Sequence, residues 1–297
     1  MAGDTKEWLG EMNRREFLLR VSALAAGTGV ASQLLAQDSR RAKVVLVRHE
    51  KVLDTEGRIN ARVLQEMLDQ GVCALFGTAT AAEAWRQIVR PTDLVGLKSN
   101  VWRPLRTPVE LEEAIQRRVR EVGVQPDRIR VDDRGARQTL ADCSVLINAR
   151  PLRTHAWSGV GGCIKNLIMF VEQPASYHPD MCADLATIWQ LPQVQGKVKL
   201  NVLVVLTPQF YTAGPHHFER QYTWPYRGLL LSTDPVAVDA VGVKLLEAQR
   251  KIFFGEERSL QEVARHIRIA DQKHKLGVAD LSRIELVKLG WDKDSLI

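Results

Sequence analysis

The sequence has no uninterrupted apolar run of the roughly 18 residues that a membrane-spanning helix needs. We therefore expect that the chain is not an integral membrane protein. Apolar residues make up 45% and charged residues 26% of the chain, which excludes wholesale disorder. With 297 residues, the chain is long enough to close one large hydrophobic core.

Cysteine is scarce, and its spacing excludes several kinds of site. The four cysteines are Cys73, Cys143, Cys163 and Cys182, and no two of them form a Cys-x-x-Cys pair. A disulfide-dense scaffold, a zinc ribbon and an iron–sulfur cluster motif are therefore not indicated. The sequence also lacks the His-Glu-x-x-His and Gly-x-Ser-x-Gly patterns of common hydrolases. The sequence leaves the cofactor unknown.

Neither sign of charge dominates the chain. It carries 41 basic and 35 acidic residues, for a net charge of +6. The basic residues are spread along the sequence, whereas nucleic-acid-binding chains cluster them with aromatic residues between, so we expect no nucleic-acid partner. A mild basic excess favours an anionic small molecule as the partner.

The first 36 residues carry the most specific local pattern. Residues 13–18 read Asn-Arg-Arg-Glu-Phe-Leu, and a weakly apolar stretch rich in Ala, Gly and Ser follows, interrupted by Arg20. This pattern predicts a twin-arginine signal peptide over residues 1–36. Residues 37–297 would then be exported folded by the twin-arginine machinery to a periplasmic or other extracytoplasmic location. The alternative is an amphipathic N-terminal helix.

Apolar runs and helical patterns alternate through the rest of the chain. Continuous β-branched and leucine-rich runs predict strands at residues 43–48, 93–99, 129–131, 144–149, 199–206, 228–232 and 284–288. Helical spacing and capping residues predict helices at residues 60–70, 81–89, 107–122, 164–171, 234–247 and 259–275. Gly71 is expected to end the first helix and Thr107 to cap the third. The alternation predicts an α/β fold, with a parallel or mixed sheet flanked by helices in a single large domain.

The densest group of polar residues lies between Asn148 and Asn166. A glycine-rich turn there opens a predicted helix, and such a turn presents free backbone N–H groups that bind anions. We predict that the anion or cofactor is bound by Arg153, Thr154, Gly161, Gly162, Cys163 and Asn166, with His155 and Lys165 as candidate catalytic residues. The alternative is a tight turn in which the glycines only allow close packing and Cys163 is a buried apolar residue.

Two further segments could contribute to the same site. Lys98 and Asn100 follow a predicted strand, where ligands of α/β proteins bind; Lys98 is a third catalytic candidate and Asn100 a binding residue. Asp234 and Asp239 lie at a predicted helix start, where they would cap the helix, orient Lys98 or hold a metal.

The other histidines carry weaker signals. His216 and His217 are adjacent in an irregular stretch and would bind a metal only with ligands from elsewhere. His266 and His274 are expected on a helix surface.

Three segments together resemble one family. Residues 95–100, 153–166 and 234–239 are similar, in that order, to the blocks of the family called domain of unknown function 362. That family has a Lys-Thr-His, a glycine-rich turn and a Lys-Asn in its middle block, and here Arg153 replaces the first lysine. The resemblance covers roughly residues 43–290.

The resemblance implies one pocket but no reaction. Its residues would be Lys98, Asn100, Thr154, His155, Lys165, Asn166, Asp234 and Asp239. Members of the family are often exported by the twin-arginine route, and some carry a ferredoxin domain whose cysteine motifs are missing here. An acidic position that commonly follows the strand at 199–206 is also replaced here, by Thr207-Pro208.

Three functions remain open at this point. The first is an exported protein with a basic polar pocket for an anionic small molecule or cofactor, acting as an enzyme of unassigned reaction. The alternative is a non-catalytic periplasmic binding or accessory protein for a redox partner, which the ferredoxin-fused relatives suggest. The third is a metal-dependent enzyme that uses His155, His216 or His217 with Asp239.

Overall fold

One mixed β-sheet forms the centre of the protein. The structure is a computed structural model that describes residues 41–214 and 217–297. The predicted signal peptide and His216 lie outside these residues. In the described part of the chain, the strands are β1 (Ala42–Arg48), β2 (Val95–Lys98), β3 (Ile129–Asp132), β4 (Val145–His155), β5 (Gly159–Gly161), β6 (Val198–Gln209), β7 (Gly228–Ser232) and β8 (Ile284–Gly290).

The strands follow the order β3-β2-β4-β6-β7-β1-β8, and β5 pairs with the end of β4. Strands β3, β2, β4 and β6 are parallel to one another, and β7 is antiparallel to both of its neighbours, β6 and β1. The last strand, β8, is parallel to β1. The predicted α/β fold with a parallel or mixed sheet is therefore confirmed, and the sheet is mixed.

Helices cover both faces of the sheet. The α-helices are α1 (Ala61–Phe76), α2 (Ala81–Ile88), α3 (Val109–Glu121), α4 (Ala136–Thr139), α5 (Cys163–Asn166), α6 (Pro235–Phe254) and α7 (His266–Gln272). Short 3-10 helices occur at Glu50–Val52, Arg103–Leu105, Pro126–Arg128, Leu167–Phe170, Pro174–Tyr177, Leu185–Gln190, Arg220–Tyr222 and Leu281–Arg283. Residues Pro179–Cys182 form a distorted turn in which Asp180 and Met181 have left-handed backbone angles.

Each face of the sheet has its own hydrophobic core. On β1, Val45 and Val47 belong to the core under α1, α2 and α3, whereas Val44 and Leu46 belong to the core under α5 and α6. Because side chains alternate along a strand, a strand that is apolar at consecutive positions must be buried on both faces. This explains why the central strands read as continuous apolar runs.

Two predicted helix boundaries were wrong. Gly71 does not end α1, which continues to Phe76 and is capped by Gly77 in the left-handed conformation. A Cβ at Gly71 would lie 2.6 Å from Leu231 Cδ1, so this glycine allows α1 to pack closely on β7. Thr107 does not cap α3: the N-cap position is Pro108, and the Thr107 hydroxyl accepts instead from the backbone N–H of Asn100 at 3.0 Å.

Other elements differ in length from the prediction. β4 extends to His155, six residues beyond the predicted strand end at Ala149, and β6 extends to Gln209. Within the predicted helix at 259–275, only α7 (His266–Gln272) is α-helical. The added length of β4 carries Arg150, Arg153, Thr154 and His155, all of which are buried. None of the helices among the described residues is long and apolar enough to cross a membrane.

Candidate functional site

The glycine-rich turn between β5 and α5 is occupied by a carboxylate of the protein itself. Asp239 Oδ1 accepts from the backbone N–H of Cys163 at 2.6 Å, and Oδ2 accepts from that of Ile164 at 2.9 Å. The prediction that the amides of this turn hold an external anion is therefore wrong for Cys163, whose N–H donates to Asp239. Lys98 bonds to Asp133 and not to Asp239, and each Asp239 oxygen accepts one backbone hydrogen bond. Burial raises its pKa to about 7, although the amides of Ile164 and Cys163 oppose that shift.

The glycines of the turn make room for the charged side chains. A Cβ at Gly162 would overlap the Asp239 carboxylate, and a Cβ at Gly161 would lie 2.6 Å from Arg150 Nη2. Gly162 has an extended backbone, so the close approach and not the φ angle requires glycine there. Cys163 is fully buried, and burial followed by Asp239 raises the pKa of its thiol well above the ordinary value. A reactive thiolate at Cys163 is therefore not supported.

Lys98 is paired with an acid that the sequence analysis did not single out. Its Nζ donates to Asp133 Oδ1 at 2.5 Å, to the carbonyl oxygen of Ser99 at 2.7 Å and to Asn166 Oδ1 at 3.5 Å. Three acceptors match the three N–H bonds of an ammonium group. Burial lowers the pKa of Lys98 to about 8, against the attraction of Asp133. The predicted orientation of Lys98 by Asp234 or Asp239 is thus replaced by pairing with Asp133.

Asp234 is a structural capping residue of α6. Its Oδ1 accepts from the backbone N–H groups of Val236 and Ala237 at 2.8 and 2.9 Å, and its Oδ2 accepts from Val278 at 2.9 Å. The helix-capping alternative holds, whereas its carboxylate has no contact with Lys98.

Polar residues cross the buried sheet in one line. Lys98, Asn148, Asn201 and Ser232 are register partners on β2, β4, β6 and β7. Asn148 Nδ2 donates to Asn201 Oδ1 at 2.9 Å, and Asn166 on α5 donates to Asn148 Oδ1 at 2.8 Å. Because buried amides cost free energy unless they are hydrogen-bonded, this line fixes the orientation of Asn166 beside Lys98.

Asn100 connects this line to Arg153. Asn100 Nδ2 donates to Asn166 Oδ1 at 3.4 Å, and Asn100 Oδ1 accepts from Arg153 Nη2 at 3.1 Å. Arg153 also donates to the carbonyl oxygen of Leu105 at 3.2 Å, and its guanidinium lies 4.4 Å from the centre of the Trp102 ring. All of these partners are neutral. The predicted binding residues Asn100, Arg153 and Asn166 thus form one connected group.

Arg150 is a buried cation that the sequence analysis did not select. Its side chain is 3% exposed, its Nε has no hydrogen-bond partner in the described part of the chain, and it forms no ion pair there. Burial lowers its pKa, while Asp133 and Asp239 act in the opposite direction. Arg153 is equally buried, and its pKa is lowered well below the ordinary value by burial and then by Arg150.

Lys165 is a buried lysine whose ammonium has one hydrogen-bond partner in the described part of the chain. It is 3% exposed, and its Nζ contacts Cys182 Sγ at 3.5 Å. Burial lowers its pKa to about 8, the Cys182 thiol opposes the shift, and Arg150 adds to it. No carboxylate among residues 41–214 and 217–297 forms an ion pair with Lys165. We call Arg150, Arg153 and Lys165 the cationic cluster.

Two histidines lie within the field of the cationic cluster. Burial, followed by Lys165, lowers the pKa of His155 far below its ordinary value, so this ring is neutral. His155 Nδ1 accepts from the backbone N–H of Trp157 at 3.2 Å, which leaves the ring proton on Nε2. His266 is fully buried, and burial, then Lys165 and Arg150, lowers its pKa to about 3. The prediction that His266 lies on a helix surface is therefore wrong. His274 Nε2 lies 3.3 Å from Asp184 Oδ1.

The remaining predicted residues lie at the edge of this group. Thr154 Oγ1 donates to the carbonyl oxygen of Tyr211 at 2.9 Å, so its hydroxyl proton is already used. His217 is exposed and forms a β-bridge with Gly214. No group of three or more His, Cys, Asp or Glu side chains in the described ranges is arranged to hold a metal ion.

The sequence analysis missed three residues of the site for different reasons. Asp133 is the second residue after the strand predicted at 129–131, so the rule that selected Lys98 and Asn100 could have selected it as well. Arg150 was placed in a loop because the predicted strand ended at the residue before it. His266 carried no signal, because its burial depends on how α7 packs against the other elements.

The comparisons place the chain in a family. Residues 63–244 match DUF362, a domain of unknown function. The chain therefore belongs to the DUF362 family, and the matched range contains all three segments on which the resemblance rested. Searches of curated proteins and of solved structures returned no match.

Proposed function

We propose that this protein binds a small anionic molecule at the cationic cluster. The observation that supports this is the burial of Arg150, Arg153 and Lys165, each 3% exposed, without an ion-pair partner in the described chain. The one buried lysine that does have a carboxylate partner among the described residues is Lys98. The charge within the site is thus unbalanced in favour of the cations.

Unpaired buried charges are costly. Removing an ion from water costs several kcal/mol even after the protein relaxes, unless a charged partner and hydrogen bonds compensate. An anion between these three side chains would supply both. A planar guanidinium can donate two parallel hydrogen bonds to a phosphate or carboxylate, and an ammonium adds a mobile point charge. The arrangement is typical of a site that is completed by its ligand.

The roles of the two predicted proton-transfer groups differ from the expectation. Neutral His155 would donate a hydrogen bond from Nε2 and would not act as an acid–base group near neutral pH. Lys165, with a pKa of about 8, is the group suited to accept or release a proton near neutrality. We assign Lys165 as the catalytic candidate and leave the reaction unassigned.

A Lys165→Met variant tests the site. It is expected to be as stable as the wild type or more stable by up to about 2 kcal/mol without ligand, because a similar apolar side chain replaces a desolvated charge. It is also expected to lose the rise in Tm that inorganic phosphate, citrate or tripolyphosphate produces in the wild type. Differential scanning fluorimetry over a range of ligand concentrations measures both effects.

The matched control is Lys244→Met, which removes the same charge from an exposed position on α6 and should keep the anion-induced rise in Tm.

In the wild type, the affinity for anions should be highest below about pH 8 and fall as the pH rises through that value, because Lys165 loses its proton. A Lys165→Met protein that folds and responds to the three anions like the wild type would contradict the proposal.

We also propose that the protein is exported by the twin-arginine route. Arg14-Arg15 followed by Phe17 and Leu18 supports this, together with the Ala- and Gly-rich stretch that follows. Replacing both arginines with lysine is expected to abolish export, since a receptor can read the guanidinium geometry that lysine lacks. Immunoblots of periplasmic and cytoplasmic fractions measure this, with Arg20→Lys as the control. Unchanged export of the double variant would show that these residues do not form an export signal.

A further inference from the structure

A cavity of about 660 Å³ opens beside the loop that follows β2. It is lined by Val101, Trp102, Arg103, Pro104, Arg106 and Arg134. We call Arg103, Arg106 and Arg134 the rim arginines. No acidic residue shares the lining with them, so this cavity is positively charged and has the size of a small-molecule site.

The rim arginines have no carboxylate partner among the described residues. Arg106 Nε donates to the carbonyl oxygen of Thr107 at 3.2 Å, and none of the three forms an ion pair in that part of the chain. Three like charges around one cavity repel one another, and a bound anion would relieve that repulsion.

The cavity lies next to the buried site. Trp102 lines the cavity, and the guanidinium of Arg153 lies 4.4 Å from the centre of its ring. Val101 also lines the cavity, and its backbone N–H donates to Asp133 Oδ2, the acid that pairs with Lys98, at 2.9 Å. Trp102 therefore contacts both this cavity and Arg153, a member of the cationic cluster.

We propose that the ligand of this protein is a polyanion, with one anionic group at the cationic cluster and a second at the rim arginines. The proposal rests on the proposed function and adds the class of ligand. Linear phosphoanhydrides have this chemistry, because each phosphate presents oxygens that a guanidinium fork can bind. A ligand with one anionic group would leave the rim arginines without a partner.

The test compares inorganic phosphate with tripolyphosphate by isothermal titration calorimetry. The wild type is expected to bind tripolyphosphate at least about tenfold more tightly than phosphate, because each added charge-assisted hydrogen bond makes the free energy of binding more favourable. The variant R103Q/R106Q/R134Q should lose that gain and keep its phosphate affinity. The control R86Q/R117Q/R120Q removes three exposed charges from α2 and α3 and should keep the gain.

The outcomes separate this proposal from the one it rests on. Equal affinities for the two anions in the wild type, or a gain that survives in the rim variant, would overturn the polyanion proposal while anion binding at the cluster stands. Equal losses in the rim variant and the control would overturn it too, because general electrostatics would then explain the gain. If the wild type binds neither anion, the proposed function and this inference both fail.

Discussion

Replacing Asp239 with alanine is expected to lower the free energy of unfolding by about 3–5 kcal/mol. The carboxylate is fully buried and accepts from the backbone N–H groups of Cys163 and Ile164. Without it, both donors lose their acceptors, and an unsatisfied buried donor costs about 1–3 kcal/mol. Arg150 would also lose a carboxylate that stabilises its charge. Chemical denaturation monitored by fluorescence measures the change.

Two further variants make this prediction specific. Asp239→Asn keeps the shape and one acceptor oxygen, so its loss should be smaller than that of Asp239→Ala. Asp127→Ala removes an exposed acid and should change stability by less than about 0.5 kcal/mol. If Asp239→Ala were as stable as Asp127→Ala, the carboxylate could not be what holds the start of α5.

Much of the fold could be predicted because its signals are local. The strand at residues 228–232 has the predicted bounds, since its apolar run is flanked by a glycine and a helix cap. Thr80 caps α2, and Glu83 completes the capping box within four residues of sequence. The strand order was not predictable, because β7 inserts between β6 and β1 through contacts that no local pattern encodes.

The end of β4 shows how a local rule fails. Arg150 and Arg153 interrupt the apolar run, so the pattern predicts that the strand ends at Ala149. The strand continues because both arginines are buried beside other polar groups of the site, a partnership that depends on tertiary structure. The segment where sequence pattern and structure disagree is also the segment that carries the site.

The sequence predicted that backbone amides of the glycine-rich turn bind an anionic group, but not that this group is a side chain of the protein. Its amides do bind a carboxylate, but that carboxylate belongs to Asp239, 76 residues away from Cys163. The sequence analysis had selected both segments without pairing them. The same limit applies to Lys98, whose partner Asp133 lies at the end of the neighbouring strand β3. The residue types at strand ends can be predicted from the sequence, whereas predicting which of them pair requires knowledge of the strand order.

Lys98→Met is expected to lower the free energy of unfolding by about 3–5 kcal/mol, since it leaves the Asp133 carboxylate buried without its cation. Asp133 has a side chain that is 7% exposed. Burial raises its pKa, but the charge and hydrogen bond of Lys98, together with the N–H of Val101 and the charge of Arg150, lower the pKa below its ordinary value. Denaturation of the variant at neutral pH measures the loss. The stability of the variant should rise as the pH falls towards the pKa of the unpaired acid, which burial now raises, because protonation removes the stranded charge.

The double variant Lys98→Met/Asp133→Asn separates the ion pair from simple packing. With both charges removed, no uncompensated ion remains, so the double variant should be less destabilised than the sum of the two single variants. The side-chain amide oxygen introduced by Asp133→Asn can still accept from the N–H of Val101, which donates to Asp133 Oδ2 in the wild type at 2.9 Å. A coupling energy of at least about 1 kcal/mol would support the pair, because residues in one buried network couple by this much. Strict additivity would mean that Lys98 stabilises the protein through its hydrogen bonds to Ser99 and Asn166, and that the lysine and the acid do not act together in the site.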